Sequence, residues 1–383
     1  MKIALVHDWL TGMRGGERCL EVFCELFPWA DLFTLLHRKG SVSPTIERMA
    51  IHPSMLQYIP RATKYYRYLL PILPLALRSF TLTGYDLVLS SSHAVVKGVR
   101  PRGNTLHICY CFTPMRYIWD QSAAYFPRER FSPLSWVLLQ ALLRYLRAWD
   151  VKSARTVDEF IAISKHIAGK IQTYYNRSAT VISPPVDCAF FTPDGALWSS
   201  RDPFYLMVSA LVPYKRVDLA VEAFSRLERP LLIIGSGPER RKLERMATRH
   251  IRFLGWQPDP VVRNYYRRCR ALIFPGEEDF GIVPLEAQAC GTPVVALGKG
   301  GALETVIPLQ RATAAVGGVG VPTGIFFDEP IVEALCDAVL CFERHAQVFD
   351  ARLIRQHALQ FDRPVFRGKI ETFLATRMGR SIG

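Results

Sequence analysis

The sequence predicts an α/β protein made of two parallel-sheet units, and three observations predict it. Short runs rich in Val, Ile, Leu and Phe alternate with longer stretches of helical apolar spacing, and this alternation occurs twice along the chain. A Pro-Pro pair at 184–185, which can continue neither a helix nor a central strand, stands between the two series. At 383 residues, with 49% hydrophobic and 21% charged side chains, the chain is long enough for two cores and too apolar to be disordered.

In the first series, residues 2–6 read as a buried strand, followed by a glycine-bearing loop to Gly16 and an amphipathic helix over 17–26. Residues 86–90, 106–111 and 159–163 read as further strands, 133–148 as a helix, and 181–182 as a short strand running into Ser183-Pro-Pro-Val-Asp187. The second series opens near Pro203. Residues 204–208 form a strand, Pro213 interrupts, 216–226 resume helical spacing, and 231–234 form a strand ending in Gly235-Ser-Gly-Pro238 before a charged helix from Glu239. Residues 252–254, 271–274, 293–296 and 324–327 are four more strands at α/β spacing. Such sheets bind ligands outside the carboxyl ends of their strands, so the expected site lies in a crevice between the units.

Residues 1–188 hold 23 basic and 13 acidic side chains, a net of +10, and the remainder holds a net of +4. A positive field suits nucleotide diphosphates, lipid phosphates or nucleic acid. Nucleic acid is not favoured, because no recognised module is present and the excess does not run along a helix. The nine cysteines show no Cys-x-x-Cys and no zinc-type spacing, so reduced thiols, a cytoplasmic setting and no metal are expected. The opening residues lack the pattern of a signal peptide, and the longest apolar run, 69–77, is too short for a membrane span and contains two prolines.

The most informative segment runs from Phe274 to Val295, Phe-Pro-Gly-Glu-Glu-Asp-Phe-Gly-Ile-Val-Pro-Leu-Glu-Ala-Gln-Ala-Cys-Gly-Thr-Pro-Val-Val. A strand ends at Pro275, a loop carries three carboxylates at 277–279, Gly281 permits close backbone approach, and a helix opens around Val283 with Pro284 in its first turn. A helix N-terminus is suited to phosphate. Carboxylates beside it would repel phosphate unless they bind hydroxyls, which favours a ligand with phosphate in the middle and sugars at either end. On these residues the chain resembles the retaining GT-B glycosyltransferases of family 4, whose Glu-x7-Glu spacing Glu278 and Glu286 reproduce. The resemblance implies that Glu278 contacts the donor sugar and Glu286 the nucleotide ribose. It also implies that the backbone of Phe280, Gly281, Ile282 and Val283 approaches sugar and diphosphate, and that two Rossmann-like domains face an interdomain cleft.

Ser209-Ala-Leu-Val-Pro-Tyr-Lys-Arg-Val-Asp218 resembles the same family's Gly-Arg-x-x-x-x-Lys motif. Lys215 matches its Lys, but Ala210 stands where the Arg is usual. Arg216 is the candidate to compensate, the electrostatic need being to neutralise a diphosphate leaving group. Gly235, Gly237 and Trp256 lie in segments similar to those lining the family's nucleotide pocket. Gly12-x-x-Gly15-Gly16 is not a dinucleotide-binding fingerprint, which argues against a nicotinamide dehydrogenase. In the family a Gly-Gly loop at this place approaches donor and acceptor.

Ser90-Ser-Ser-His-Ala-Val-Val-Lys-Gly98 and His107-Ile-Cys-Tyr-Cys-Phe-Thr-Pro-Met-Arg-Tyr-Ile-Trp-Asp120 look like the WbaZ-like bacterial mannosyltransferase branch that builds O-antigen and exopolysaccharide units. Phe112 occupies the place where many family members have a pocket His. His107, five residues earlier on a strand, is aimed at the opposite face. His93, Lys97 and Arg116 are the candidate acceptor contacts.

Residues 51–119 hold eight basic side chains and one acid, with Arg61, Lys64, Arg67 and Arg78 among Tyr65, Tyr66, Tyr68 and the apolar run at 69–77. A basic surface with aromatic neighbours suits anionic lipid, although a Pro-interrupted core helix with a basic outer face explains the same residues.

The expected organisation is an acceptor-binding domain over 1–188, a nucleotide-sugar-binding domain over 189–360, and a C-terminal helix over 361–383 that packs back on the first. The expected function is metal-independent, retaining transfer of a hexose, with mannose from GDP-mannose foremost, to a lipid-linked oligosaccharide. The nucleotide sugar is the substrate, no cofactor is needed, and the enzyme sits peripherally on the inner face of the cytoplasmic membrane. The alternatives are a GT-B phosphorylase or synthase with a soluble acceptor, and a non-catalytic nucleotide-sugar-binding protein.

Overall fold

A computed structural model describes residues 1–65, 69–195, 201–309 and 321–379. The chain divides into two compact units, Met1–Pro184 together with the end of the chain from Lys369, and Pro185–Gly368. The division falls inside the Pro-Pro pair, a few residues ahead of the expected 188. Val186 N–H donates to Phe361 O at 2.9 Å and Cys188 N–H to Asp362 Oδ1 at 3.1 Å, so the residues just after the prolines are tied to the second unit.

Unit 1 carries a parallel sheet of β1 (Ile3–His7), β2 (Asp31–Thr34), β3 (Ala50–Pro53), β4 (Leu87–Ser92), β5 (Leu106–Cys111), β6 (Glu159–Ala162) and β7 (Thr180–Val181), in the order β3-β2-β1-β4-β5-β6-β7. Its central strands β1 and β4 are buried along their whole length, as strands covered by helices on both faces must be. Helix α1 (Gly15–Leu26) buries Leu20, Phe23 and Cys24. Helix α2 (Pro133–Ala154), started by Ser132 Oγ accepting from Ser135 N–H and by Pro133 at its first position, packs Leu143 and Leu146 into a core with Val88, Val95 and Leu73. Arg377 near the chain end pairs with Glu159 at 3.1 Å, within the same unit.

Unit 2 carries β8 (Tyr205–Val208), β9 (Leu231–Ile234), β10 (Ile251–Gly255), β11 (Leu272–Phe274), β12 (Val294–Leu297) and β13 (Gly324–Phe327), all parallel, in the order β10-β9-β8-β11-β12-β13. Helix α3 (Val217–Leu227) repeats apolar side chains at 217, 220, 221 and 224 and buries that face with Ile233, Ile273, Val295 and Phe342. The fold class is thus α/β with two Rossmann-like parallel-sheet units, as the alternation of runs predicts.

Candidate active site

In unit 2 the strand order reverses between β8 and β11. Open parallel sheets place ligands outside the carboxyl ends of the two strands flanking such a reversal. The loops that leave β8 and β11 carry Lys215 and Glu278, and the structure joins them: Lys215 Nζ and Glu278 Oε1 form an ion pair, with side chains 15% and 22% exposed. Gly276 makes the approach possible. A Cβ there would lie 2.9 Å from Lys215 Cα and from Tyr214 O, closer than backbone tolerates.

The same loop is clamped from β12, where Gly301 N–H donates to Glu278 O at 2.7 Å and a Cβ on Gly301 would come within 2.2 Å of Phe280 Cα. Phe280 is buried against Phe361. Gly281, at φ 101°, then turns the chain into helix α5 (Ile282–Ala289). As N-cap it offers no side chain to the first-turn amides around Ile282 and Val283. An anion is the natural partner for such a helix start.

One turn into α5 the environment changes. Glu286 is buried, and its Oε2 accepts from the Tyr266 hydroxyl at 3.1 Å, Tyr266 lying on helix α4 (Asp259–Arg268). Burial and the Glu286 charge push the Tyr266 phenol well up, so it remains a donor. Gly235 and Gly237 let the loops after β9 and β8 pack backbone to backbone. Cβ atoms there would lie 1.8 Å from Ser209 O and 2.3 Å from Leu211 O, and Leu211 N–H donates to Ser236 O at 3.0 Å. Trp256, after β10, is 73% exposed.

Arg216 is placed differently from its neighbour. It sits in the left-handed region at φ 52° as the N-cap of α3, and its Nε lies 3.3 Å from Asp218 Oδ1. The charge paired with Glu278 is therefore that of Lys215, and Arg216 is held at the helix start.

In unit 1 the reversal lies between β1 and β4. His7 ends β1, His93 follows β4, Phe112 follows β5, and Gly15 and Gly16 open α1. A Cβ on Gly16 would touch Phe112 at 3.5 Å and His7 Cε1 at 3.6 Å. The buried Asp8 carboxylate accepts four backbone N–H bonds, from His93, Ala94, Val95 and Val96 at 2.7–3.1 Å, and lies 3.3 Å from His93 Nδ1. His7 shares a 2.7 Å hydrogen bond between Nδ1 and Ser91 Oγ, while its buried Nε2 has no partner among the described residues. Burial, then the neighbouring His93, drives the His7 pKa down to about 3, and burial also lowers that of His93. Both imidazoles are neutral at pH 7. The Arg116 charge, which also lowers His93, stands near enough to act on it.

Lys97 requires a correction. It is not available to an acceptor: it is 1% exposed, forms an ion pair with Asp150, and stands over the Trp149 and Tyr175 rings. Asp150 Oδ2 also accepts from Trp119 Nε1 and the Tyr175 hydroxyl, both at 2.8 Å, so the pair is a buried structural network. His107 is likewise structural, bonded to Ser90 Oγ at 2.9 Å and Thr156 O at 3.1 Å.

The sequence reading missed His7, Asp8 and Tyr266. For the first two the signal was their place at the carboxyl end of the first strand; Tyr266 gave none. Tyr66, Arg67 and Tyr68 of the basic stretch lie outside the described residues. Among the described residues no group of three or more His, Cys, Asp and Glu is placed to hold a metal ion, and no helix is long and apolar enough to cross a membrane.

Residues 192–348, which include the Lys215 and Glu278 loops, match the family model for Glycosyl transferases group 1. More particular likenesses follow. The GDP-mannose-dependent alpha-(1-6)-phosphatidylinositol monomannoside mannosyltransferase of Mycolicibacterium smegmatis is 29% identical over 212 residues, 48% of this chain and 54% of that one. The D-inositol 3-phosphate glycosyltransferase of Kribbella flavida is 29% identical over 254 residues, 57% and 58% of the two chains. The chain spans about half the length of the curated relatives it matches. Among solved structures, Anabaena HepE in complex with UDP superposes with a TM-score of 0.70 at 18% identity, covering 98% of this chain and 100% of that one. Sucrose-phosphate synthase from Thermosynechococcus elongatus gives 0.73 at 17%, covering 99% and 100%. These identities bear on fold alone, and the fold is the GT-B type of two Rossmann-like domains.

Proposed function

We propose that the protein is a retaining hexosyltransferase that takes mannose from GDP-mannose and passes it to a lipid-linked oligosaccharide, as in exopolysaccharide or O-antigen assembly. The observation that carries this reading is the Lys215–Glu278 pair beside the start of α5. One cation and a set of backbone amides converge where a diphosphate would sit, and a carboxylate stands beside them to hold sugar hydroxyls. Glu286, oriented by Tyr266, holds the ribose. Lys215 and the α5 amides stabilise the departing nucleoside diphosphate, whose phosphate assists deprotonation of the acceptor hydroxyl as it attacks on the same face. In the resulting products the anomeric C–O bond to phosphate is broken, a glycosidic bond is formed, and the acceptor proton leaves with the nucleotide. His93 and Arg116 contact the acceptor, near Gly15 and Gly16. No metal or cofactor enters this scheme. The enzyme works at the cytoplasmic face of the membrane, where a lipid-borne acceptor is presented.

Support for mannose comes from the relatives named as GDP-mannose-dependent mannosyltransferases. A second reading, a transferase with a soluble acceptor, is favoured by relatives named D-inositol 3-phosphate glycosyltransferases. The test is release of nucleoside diphosphate from a panel of nucleotide sugars, with and without a lipid-linked oligosaccharide or inositol 3-phosphate. GDP-mannose turnover that requires the lipid acceptor upholds the proposal, turnover with the inositol phosphate selects the second reading, and no turnover of any donor overturns both.

A further inference from the structure

Helix α2 is 22 residues long and buries one side, through Leu143, Leu146, Asp150 and Ser153. Its other side is unusual. Leu134 (72% exposed), Val137 (63%), Leu138 (63%) and Tyr145 (58%) recur at three- and four-residue spacing along the N-terminal half and therefore share one face. Continuing along that face, the exposed Arg144 and Lys152 and then the C-cap Arg155 line the C-terminal half. The helix contains a single acid, Asp150, buried and bound to Lys97. The outward face is thus apolar at one end, cationic at the other, and carries no carboxylate.

Two further features of the same unit share this chemistry. A groove of about 460 Å³, lined by Trp119, Arg147, Val151, Lys152 and Arg155, opens at the cationic end. Leu73 and Leu77 pack into the same core as Leu143 and Leu146, and that neighbouring segment exposes Tyr58 and Leu75 beside Arg61 and Arg78. The acids that flank the helix in sequence are Glu129, between Arg128 and Arg130, and Asp158, which accepts from His107 N–H at 2.7 Å.

We infer that the outward face of α2 seats unit 1 on an anionic lipid surface, with Leu134, Val137 and Leu138 entering the acyl boundary and Arg144, Lys152 and Arg155 among the phosphates. The charge pattern selects this occupant over a second copy of the chain. Pairing two α2 faces would remove their cations from water with no carboxylate opposite, in either orientation, whereas a phospholipid surface supplies both apolar depth and anionic partners. Tyr145 stands at the border between the two halves, where an amphipathic ring is favoured. The inference deepens the membrane-side acceptor reading by naming the surface that meets the lipid.

The test is co-sedimentation of the full chain with vesicles of phosphatidylcholine alone and of equal parts phosphatidylcholine and phosphatidylglycerol. Wild type is expected on the anionic vesicles and not on the neutral ones. A Leu134→Ser/Val137→Ser/Leu138→Ser variant loses about a hundredfold in partitioning, as does Arg144→Gln/Lys152→Gln/Arg155→Gln, whose parent binding weakens with salt. Circular dichroism and nucleotide-sugar binding, measured on the same variants without vesicles, stay at wild-type values. Unchanged partitioning of both variants overturns the inference, as does a wild-type dimer in lipid-free sedimentation velocity that the serine variant abolishes. Loss of nucleotide-sugar binding by wild type itself would instead strike the transferase reading, so the two failures are distinct.

Discussion

Lys215 and Glu278 stand 63 positions apart in sequence and meet as an ion pair across the strand-order reversal of unit 2. In the ligand-free protein each compensates the other. In the proposed donor site a diphosphate would compete with Glu278 for the ammonium, so removing the carboxylate charge would free Lys215 for phosphate while depriving the sugar of its contact. Glu278→Gln is therefore expected to bind free nucleoside diphosphate about fivefold to tenfold more tightly, and to turn over nucleotide sugar roughly a hundredfold more slowly. Calorimetric titration with GDP and UDP, paired with donor turnover, reads both numbers. Weaker diphosphate binding in the variant would contradict the competition.

Gly276 is what allows the two loops to touch. With the Cβ of alanine 2.9 Å from Lys215 Cα, the loops must separate, and the pair with them. Gly276→Ala is expected to lower kcat/KM for the nucleotide sugar by tenfold or more and to cost about 1–3 kcal/mol of stability by overpacking. Steady-state kinetics beside a denaturant melt separates the two effects.

Lys97 supports unit 1 without taking part in the chemistry. Lys97→Met leaves the Asp150 carboxylate buried with only neutral donors, Trp119 and Tyr175. A loss of about 3–5 kcal/mol in unfolding free energy is expected, with turnover per folded molecule retained. Full stability in the variant would show that the network is not what it is taken to be.

Acidification should destabilise the protein before carboxylates protonate. Burial holds His7 down to about 3 and His107 down to about 4, so below pH 6.5 the unfolded chain binds protons that the folded one refuses. Glu17 acts in the opposite sense: burial raises it to about 7, so the fold holds its proton while the unfolded chain has lost it above 4.5. Between pH 6.5 and 4.5 two histidines gained against one glutamate lost leaves a net uptake of about one proton, or about 1.4 kcal/mol lost per pH unit. His93 and His357, also lowered by burial, add to the loss. Urea titrations across this range should show that slope, flattened in His107→Gln, and a pH-independent stability would contradict it.

The sequence was most legible where burial dictates composition. The central strands β9 and β11 are continuous apolar runs and β1, β4 and β5 largely apolar ones because both sheet faces are covered, and each is visible in the sequence. Strands β2 and β3 escaped notice for the complementary reason. Asp31–Thr34 is short and opens on an acid, and Ala50–Pro53 is a mostly exposed edge ending in proline. In the site, the segment from Phe274 to Val295 disclosed its loop and helix, since proline and glycine mark where they turn. That Lys215 reaches Glu278 while Arg216 turns to Asp218 depends on a left-handed residue and a loop contact that spacing does not encode. Lys97 stands in a segment that resembles an acceptor-side motif, and what buries it, the partner Asp150, lies 53 positions away where local sequence gives no sign of it.

The role of Lys215 in donor binding is tested most directly by the affinity of GDP-mannose for wild type and for Lys215→Ala, measured by titration calorimetry at fixed salt. A saturable wild-type site is expected, with a Kd raised roughly tenfold to a hundredfold in the variant, because a charge-assisted contact to the diphosphate is lost. Equal affinity in the two proteins would contradict it, and the loops after β8 and β11 would then not form the donor site.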